Sequence, residues 1–530
     1  MKLRGLSIIG FQNGAVGGSV FHGIDPVSGE TLPTDFHSAD EKEVDRAALI
    51  AAAAFESLAR RSGRDRAGFL RQIATNIELV AESIKRRGVA ETGLPEGRLT
   101  AETGRTTAQL RLFADLLDEG SWIDARIDTA LPNRKPLPKP DIRYMLQPVG
   151  PVAVFCASNF PLAFSVAGGD TASAFAAGCP VIVKAHHAHP GTAEIVGRAI
   201  ADAVNTCELP EGTFSLIYGS GRVVGQALVK NPMVKAVGFT GSRSGGRALF
   251  DLAATRPEPI PVYAEMSSIN PVFLFPGALK ERSEAIATGL HGSLNLGVGQ
   301  FCTNPGLILA AKDAETDAFK IALAEKISVT GSATMLHRGI RNSYTEGVSK
   351  KQANAKVTAV AVQECDAGSG PTDVTPAVFS TDAKTYLNDP SLNEEVFGPS
   401  TLIVESAERD DMIRIANDLE GHLTASIFGT EAELRANADL ISVLQRKVGR
   451  LIFNQFPTGV EVCHSMVHGG PYPATTDGRS TSVGSAAIFR FSRPISYQNF
   501  PQDALPDELK DANPLGIMRD VDGELTRSSI

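Results

Sequence analysis

Cysteine is scarce: six in 530 residues, no two closer than 23 positions. That spacing leaves no CxxC pair and no zinc-ligand pattern, and it suits a reducing compartment in which thiols stay free. Neither HExxH nor GxxxxGK[ST] occurs, so zincin and P-loop chemistry find no support. Positive charge is not in excess. Lys and Arg total 51 against 60 acidic residues, a net charge of −9, which argues against nucleic acid or an anionic membrane as partner. Long apolar runs are missing too: the start, MKLRGLSIIGFQNG, is too short for a secretory signal. AALIAAAAF at 47–55 stops well short of the roughly 20 residues that cross a bilayer. These absences lead to the expectation of a cytoplasmic protein.

What is present is an ordinary apolar and charged balance on a chain longer than the roughly 250–300 residues at which single cores stop growing, so two or three domains are expected. Residues 40–118 read as helical, with Ser38 and Asp40 as candidate caps. The proline-rich stretch 126–146 reads as an extended arm ending in the strand-like IRYML. From 151 to 266, five β-branched runs alternate with four amphipathic helices, which predicts βαβ units and a parallel sheet. Such sheets bind ligands beyond the carboxyl ends of their strands. After Glu265 the strand-like runs NPVFLF, GLILAA, STLIVE, TASIFGT and RLIFNQF predict a second α/β domain. AAIFRFSRPISYQ at 486–498 reads as a strand able to pair with the arm, and 501–530 as a tail that wraps a surface or frays.

Several positions have both a chemical and a structural reading. GSGRVVG (219–225) misses the GxGxxG spacing and fits a phosphate turn or a plain turn equally. FTGSRSGG offers Ser242 to an anion or as a helix N-cap. KAHHAHP reads as a surface loop rather than a metal site, and Lys184 at its head is placed to donate to ribose or phosphate. Asn159 in CASNFP is a turn residue or an oxyanion donor. Glu265 ends the fifth strand in an apolar setting, which points to a carboxylate with a raised pKa acting as general base. Cys302, in GQFCTNPG, is a packing thiol or a nucleophile.

In this order, an amide, a lysine, a strand-end carboxylate and a loop thiol are the parts of covalent aldehyde oxidation. SNFPLAF, PVIVKAHHAHPGTAE, VGFTGS, AEMSSINP, GQFCTNPG and NEEVFGP together resemble the aldehyde dehydrogenase superfamily from about residue 20 to 500. The flanks of Cys302 and the segment FPTGVEVCHSMVHGGPYPATTD resemble a branch that contains α-ketoglutaric semialdehyde dehydrogenases and an NADP-linked fatty aldehyde dehydrogenase.

That resemblance implies a Rossmann-like, parallel-sheet cofactor domain (1–125 and 147–264), an α/β catalytic domain (265–475) and a β-arm for oligomerisation (126–146 and 484–500). It implies Cys302 as nucleophile, Asn159 as oxyanion donor and Glu265 as base. It implies Lys184 and Ser242 on the cofactor's ribose and pyrophosphate, and Glu395 and Phe397 on the nicotinamide side. His187 stands where NAD-preferring relatives carry a glutamate, and Arg222, at the next helix start, is a candidate partner for a 2′-phosphate, so NADP is favoured, with NAD possible. Arg105, preferred over Arg111, is the expected partner of a substrate carboxylate, with salt bridges to Glu102 or Asp115 as the alternative. Phe160 and Phe456 are candidate tunnel walls. The expected partner is a small-molecule aldehyde, with no nucleic acid or membrane, in a homodimer or homotetramer.

Overall fold

The computed structural model describes residues 2–365 and 368–530. Five parallel strands build the first sheet, in the order Val262–Glu265, Ala236–Thr240, Val152–Phe155, Val181–Lys184 and Phe214–Ile217. Their side chains are almost all buried, as a sheet covered on both faces requires. The short strands Ile8–Ile9 and Gln12–Asn13 extend the sheet antiparallel beyond Phe214–Ile217. The chain runs from the central strand to one side and then returns to the other, so the switch point lies beside Val152–Phe155. Register levels the carboxyl ends: Phe155 pairs with Lys184 and with Phe239, and Thr240 with Glu265. Lys184 and Glu265 therefore leave the sheet on one edge, with Asn159 following the strand between them.

Ahead of this sheet lie the helices Glu41–Ala59, Gly63–Leu79, Ala81–Thr92 and Glu96–Glu119. Asp40 caps the first through the Glu43 amide, while the Ser38 hydroxyl pairs instead with Ser19. Ser62 and Asp65 form a reciprocal capping box on the second. A second sheet has the order Thr358–Val362, Ala377–Asp382, Ser400–Ser406, Leu307–Ala311, Val272–Leu274, His422–Phe428 and Val448–Phe453. All five strand-like runs expected after Glu265 lie in it. Ala377–Asp382 and the antiparallel edge Thr358–Val362 are additional.

The arm strand Ile142–Pro148 pairs antiparallel with Ser492–Gln498 along its whole length. The first half of the expected terminal strand, Ser485–Phe491, is a 3₁₀ helix instead, because Ile488 and Phe491 turn into the core rather than alternate. The tail wraps. Its strands Arg519–Val521 and Glu524–Thr526 extend the arm sheet beyond Arg126–Asp128, and Leu505, Leu509 and Ile517 are buried in the core beneath. Arg143 ties the two together, with its guanidinium on Asp141, Asp511 and the Leu509 carbonyl. Among the described residues no helix is long and apolar enough to cross a membrane.

Replacing Arg143 by Ala is expected to lower stability by about 3 kcal/mol, because it strips a buried guanidinium from its carboxylates. Thermal unfolding, with limited proteolysis reporting release of residues 505–527, measures this.

Candidate active site

Cys302 reaches the site through a backbone contact that only glycine permits. The 3₁₀ turn Leu296–Gly299 ends with Gly299 at φ +63°, and a Cβ there would lie 2.3 Å from both the Gly398 carbonyl carbon and the Pro399 nitrogen. The loop carrying Cys302 is thereby pressed against the end of NEEVFGP, and Asn304 Nδ2 donates to the Gly398 carbonyl at 3.1 Å. Behind the loop, the fully buried Asn270 donates to the carbonyls of Cys302 (2.8 Å) and Asn304 (2.9 Å). Asn270 Oδ1 in turn accepts from Ser268 and Thr424. Asn270 lies five residues after Glu265, so a single amide locks the thiol loop to the exit of the glutamate's strand.

Three side chains converge there. His468 Nε2 lies 3.3 Å from Cys302 Sγ and 3.0 Å from Glu265 Oε1. Glu265 Oε2 accepts from the Ser482 hydroxyl at 2.8 Å. His468 is 1% and Glu265 3% exposed. The His468 backbone is fixed by its own N–H donating to Thr481 Oγ1 and by its carbonyl accepting from the Ser482 N–H, both at 2.8 Å. His468 had no assigned role in the sequence. It is one of two histidines in VCHSMVHGGPYP, and nothing in its spacing ties it to residues 166 and 203 positions earlier.

The electrostatics correct one expectation. Burial pushes the Glu265 carboxyl up, but attraction to His468 and hydrogen bonds from His468, Ser482 and Cys302 outweigh it, so its pKa lies below the ordinary value. The apolar flanks in the sequence suggested the reverse. The Cys302 thiol is held well above its usual range by burial, then by the Glu265 charge and hydrogen bond and by Glu395, with Arg105 pulling the other way. Glu265 is the charged member and Cys302 holds its proton at neutral pH.

Asn159 Nδ2 donates to the Gln300 carbonyl at 3.0 Å, two residues from the thiol, which orients its amide beside the Cys302 loop. Arg105 is half-buried in the helix Glu96–Glu119, with its guanidinium 5.4 Å from the Phe164 ring centre. It makes none of the expected pairs. Glu102 is taken by the Leu162 and Ala163 amides and by Arg98, and Asp115 by Arg71. Arg105 Nε is buried with no partner among the described residues. Arg111, by contrast, is engaged bidentately by Glu78. Phe160 packs edge-on against Phe164 and Phe301, and Arg98 lies over both Phe160 and Phe301. Phe456 is partly buried, with its ring 4.6 Å from Phe428 and over Gly289, packed against the second sheet's core.

On the cofactor side, a cavity of about 440 Å³ opens at the carboxyl end of the first sheet. It is lined by Lys184, His187, Gly219–Ser220–Gly221 and His337 among others, and no lining residue is acidic. Burial lowers the Lys184 pKa, and no carboxylate among the described residues pairs with it. A buried cation facing an acid-free cavity fits a nucleotide's ribose and phosphate oxygens. His337, from the start of the helix Arg338–Ala353, was not foreseen. Its Nδ1 accepts from the Gly339 and Ile340 amides, and its ring centre is 5.3 Å from that of His187. Burial, with the neighbouring cations and imidazoles, brings both His187 and His337 down to about 4. Within the KAHHAHP run His187 is exposed, as a surface loop places it, while His186 stacks between its neighbours and His189 is fully buried on the Ala157 carbonyl. Arg222 is exposed in the turn Gly221–Gly225, on the lip of the cavity. Ser242 caps Arg243–Ala254 by accepting from the Gly245 amide. Glu395 and Phe397 lie together beside Ser268, and burial raises the Glu395 carboxyl to about 7.

Comparison with known proteins accords with this arrangement. A sequence model of the aldehyde dehydrogenase family matches residues 14–483. The chain is 49% identical over 530 residues to α-ketoglutaric semialdehyde dehydrogenase 2 of Azospirillum brasilense, covering 99% of this chain and all of that one. It is 48% identical to α-ketoglutaric semialdehyde dehydrogenase of Acinetobacter baylyi, covering 93% of each. In fold it is similar to a point mutant of betaine aldehyde dehydrogenase from Staphylococcus aureus solved with NAD⁺, at a TM-score of 0.80 and 21% identity over 96% of this chain and 99% of that one. A 3,6-anhydro-L-galactose dehydrogenase solved with NADP matches at 0.79, again at 21% identity, over 93% and 99%.

Replacing Gly299 by Ala is expected to displace the thiol loop and lower kcat/KM about 10²-fold, as a misplacement of about 1 Å at a reacting atom does. Steady-state kinetics with circular dichroism as a check on folding measure it.

Proposed function

The chain belongs to the aldehyde dehydrogenase family, and on that premise we propose that it oxidises α-ketoglutaric semialdehyde to 2-oxoglutarate, with NADP favoured over NAD. The observation that carries the substrate assignment is the half-buried guanidinium of Arg105, which has no carboxylate partner among the described residues and whose field reaches the Cys302 thiol. A small aldehyde bearing a carboxylate at its far end satisfies that cation while presenting its carbonyl to sulfur. The names of the two relatives at 48–49% identity support the same substrate. Phe160, Phe164 and Phe301 supply the apolar wall between the two ends.

In this reading the Cys302 proton passes to the Glu265 carboxylate, to which the thiol hydrogen-bonds, as sulfur adds to the aldehyde carbon. His468 Nε2, 3.3 Å from sulfur and 3.0 Å from Glu265 Oε1, holds the two in place for that transfer. The resulting oxyanion is held by the second N–H of the Asn159 amide, the first being used on Gln300, and by the Cys302 backbone N–H. The nicotinamide cofactor supplies the hydride acceptor. Glu265 gives the Cys302 proton up to solvent, takes another from water as it attacks the thioester, and passes it to the departing sulfur, which releases the acid and returns Cys302 to its thiol.

Cofactor preference rests on the acid-free lining of the cavity around Lys184, His187 and His337. A glutamate at 187 would repel a 2′-phosphate, whereas two imidazoles are free to donate to it or take up a proton beside it. The six free cysteines suit a cytoplasmic setting. The arm sheet, with its exposed Leu131, Leu137 and Phe500, suits assembly into a homo-oligomer.

Arg105→Ala is expected to lower kcat/KM for 2,5-dioxopentanoate about 10- to 100-fold, the worth of a charged hydrogen-bonded pair. Hexanal turnover should be nearly unchanged. An equal loss on both substrates removes the carboxylate clamp and favours an aliphatic aldehyde instead. His187→Glu is expected to lower kcat/KM for NADP at least about tenfold, a change of 1.4 kcal/mol. The value for NAD should be preserved, and a variant that loses both equally removes the 2′-phosphate assignment.

A further inference from the structure

Glu265, Cys302 and His468 present a thiol, an imidazole nitrogen and a carboxylate oxygen that all lie within 4.8 Å of one another. We propose that this trio is a three-ligand site for a borderline-soft divalent cation, zinc above all, which caps the nucleophile and holds the enzyme in a reversible resting state. The inhibitory part of this proposal rests on Cys302 being the nucleophile; the binding part does not.

Donor chemistry comes first. One sulfur, one imidazole and one carboxylate are ligands zinc takes readily, and three protein ligands with an open fourth position is a common zinc arrangement. Geometry comes next. A tetrahedral zinc with bonds of about 2.3 Å to sulfur and 2.0–2.1 Å to nitrogen and oxygen holds sulfur and nitrogen about 3.5 Å apart, and nitrogen and oxygen about 3.3 Å apart. The separations here are 3.3 Å for Sγ to Nε2 and 3.0 Å for Nε2 to Oε1, so these two edges match a metal's within a few tenths of an ångström, and the sulfur and the carboxylate lie within 4.8 Å of each other.

The buried donor atoms point the same way. Glu265 Oε1 is buried against the His468 imidazole, 3.0 Å from Nε2, while its other oxygen accepts from Ser482. His468 Nε2 faces both the sulfur and this oxygen. In the metal-free site shared protons alone hold these contacts. A cation among the three satisfies all at once, and it replaces the thiol proton as it binds. Ser482, on the free side of the carboxylate, then acts as the outer partner that orients the ligand. With the sulfur and Glu265 both on the metal, neither attack on aldehyde nor activation of water proceeds.

The test uses the full-length enzyme after chelator treatment. Cobalt(II) is expected to bind with a thiolate-to-cobalt charge-transfer band in the near ultraviolet, which zinc displaces. Cys302→Ser abolishes the band, and His468→Gln weakens cobalt binding at least about tenfold. Zinc should inhibit aldehyde oxidation competitively with aldehyde, and excess chelator should restore it. Absence of the band in the wild-type protein overturns the site even if no variant folds, as does a band that survives in Cys302→Ser. In either case, loss of activity on alkylating Cys302 shows that the nucleophile reading still stands. A band without inhibition keeps the metal site and overturns its inhibitory role together with Cys302 as nucleophile.

Discussion

One imidazole nitrogen, His468 Nε2, stands between the carboxylate of Glu265 and the sulfur of Cys302 in a space nearly closed to water. The protonation states of the site depend on it. Without His468 a buried carboxylate beside a thiol is raised by desolvation; with it, attraction prevails and the carboxylate is held charged. That charge in turn keeps the proton on sulfur in the resting protein. Most of the loop architecture nearby serves to place this contact: the glycine-only approach of residue 299 to residues 398–399, the Asn270 amide behind the thiol loop, and the Thr481–Ser482 segment behind the histidine.

Around that centre, Arg105 and Lys184 have no carboxylate partner among the described residues. Arg105 faces the thiol and Lys184 faces the nucleotide-sized cavity. Glu102, three residues before Arg105, is used by the Leu162 and Ala163 amides and Arg98. A buried cation without a counter-ion carries a desolvation cost that an arriving anion relieves. The acids that these cations do not meet are therefore as much a part of the site as the cations themselves.

The parallel strands of the first sheet were legible because a strand buried on both faces must be a continuous β-branched run, and such runs stand out in one dimension. The helix ends were legible where a side chain caps its own backbone a few residues away, as Asp40 does. Pairings over long separations left no such trace. The strands Arg519–Val521 and Glu524–Thr526 have little apolar character of their own and exist because the arm edge offers hydrogen bonds. Residues 485–491 look like a strand by composition yet coil, because two of them point into the core. Phe456 is only partly buried and packs against the second sheet's core, a placement its sequence context did not show.

Within the site the same division holds. The sequence singled out the sulfur, the amide and the carboxylate through the family resemblance of GQFCTNPG, SNFPLAF and AEMSSINP, since each residue alone had a structural reading as well. It also placed Lys184 and His187 at the end of one strand. Tertiary structure alone decided that His468 completes the cluster, that His337 faces His187 across the cavity, that Arg105 rather than Arg111 is free, and that Glu265 is charged rather than neutral. Each of these depends on which group lies within a few ångströms after the chain has folded, and the electrostatic and hydrogen-bond energies that set them fall off over that distance whatever the separation in sequence.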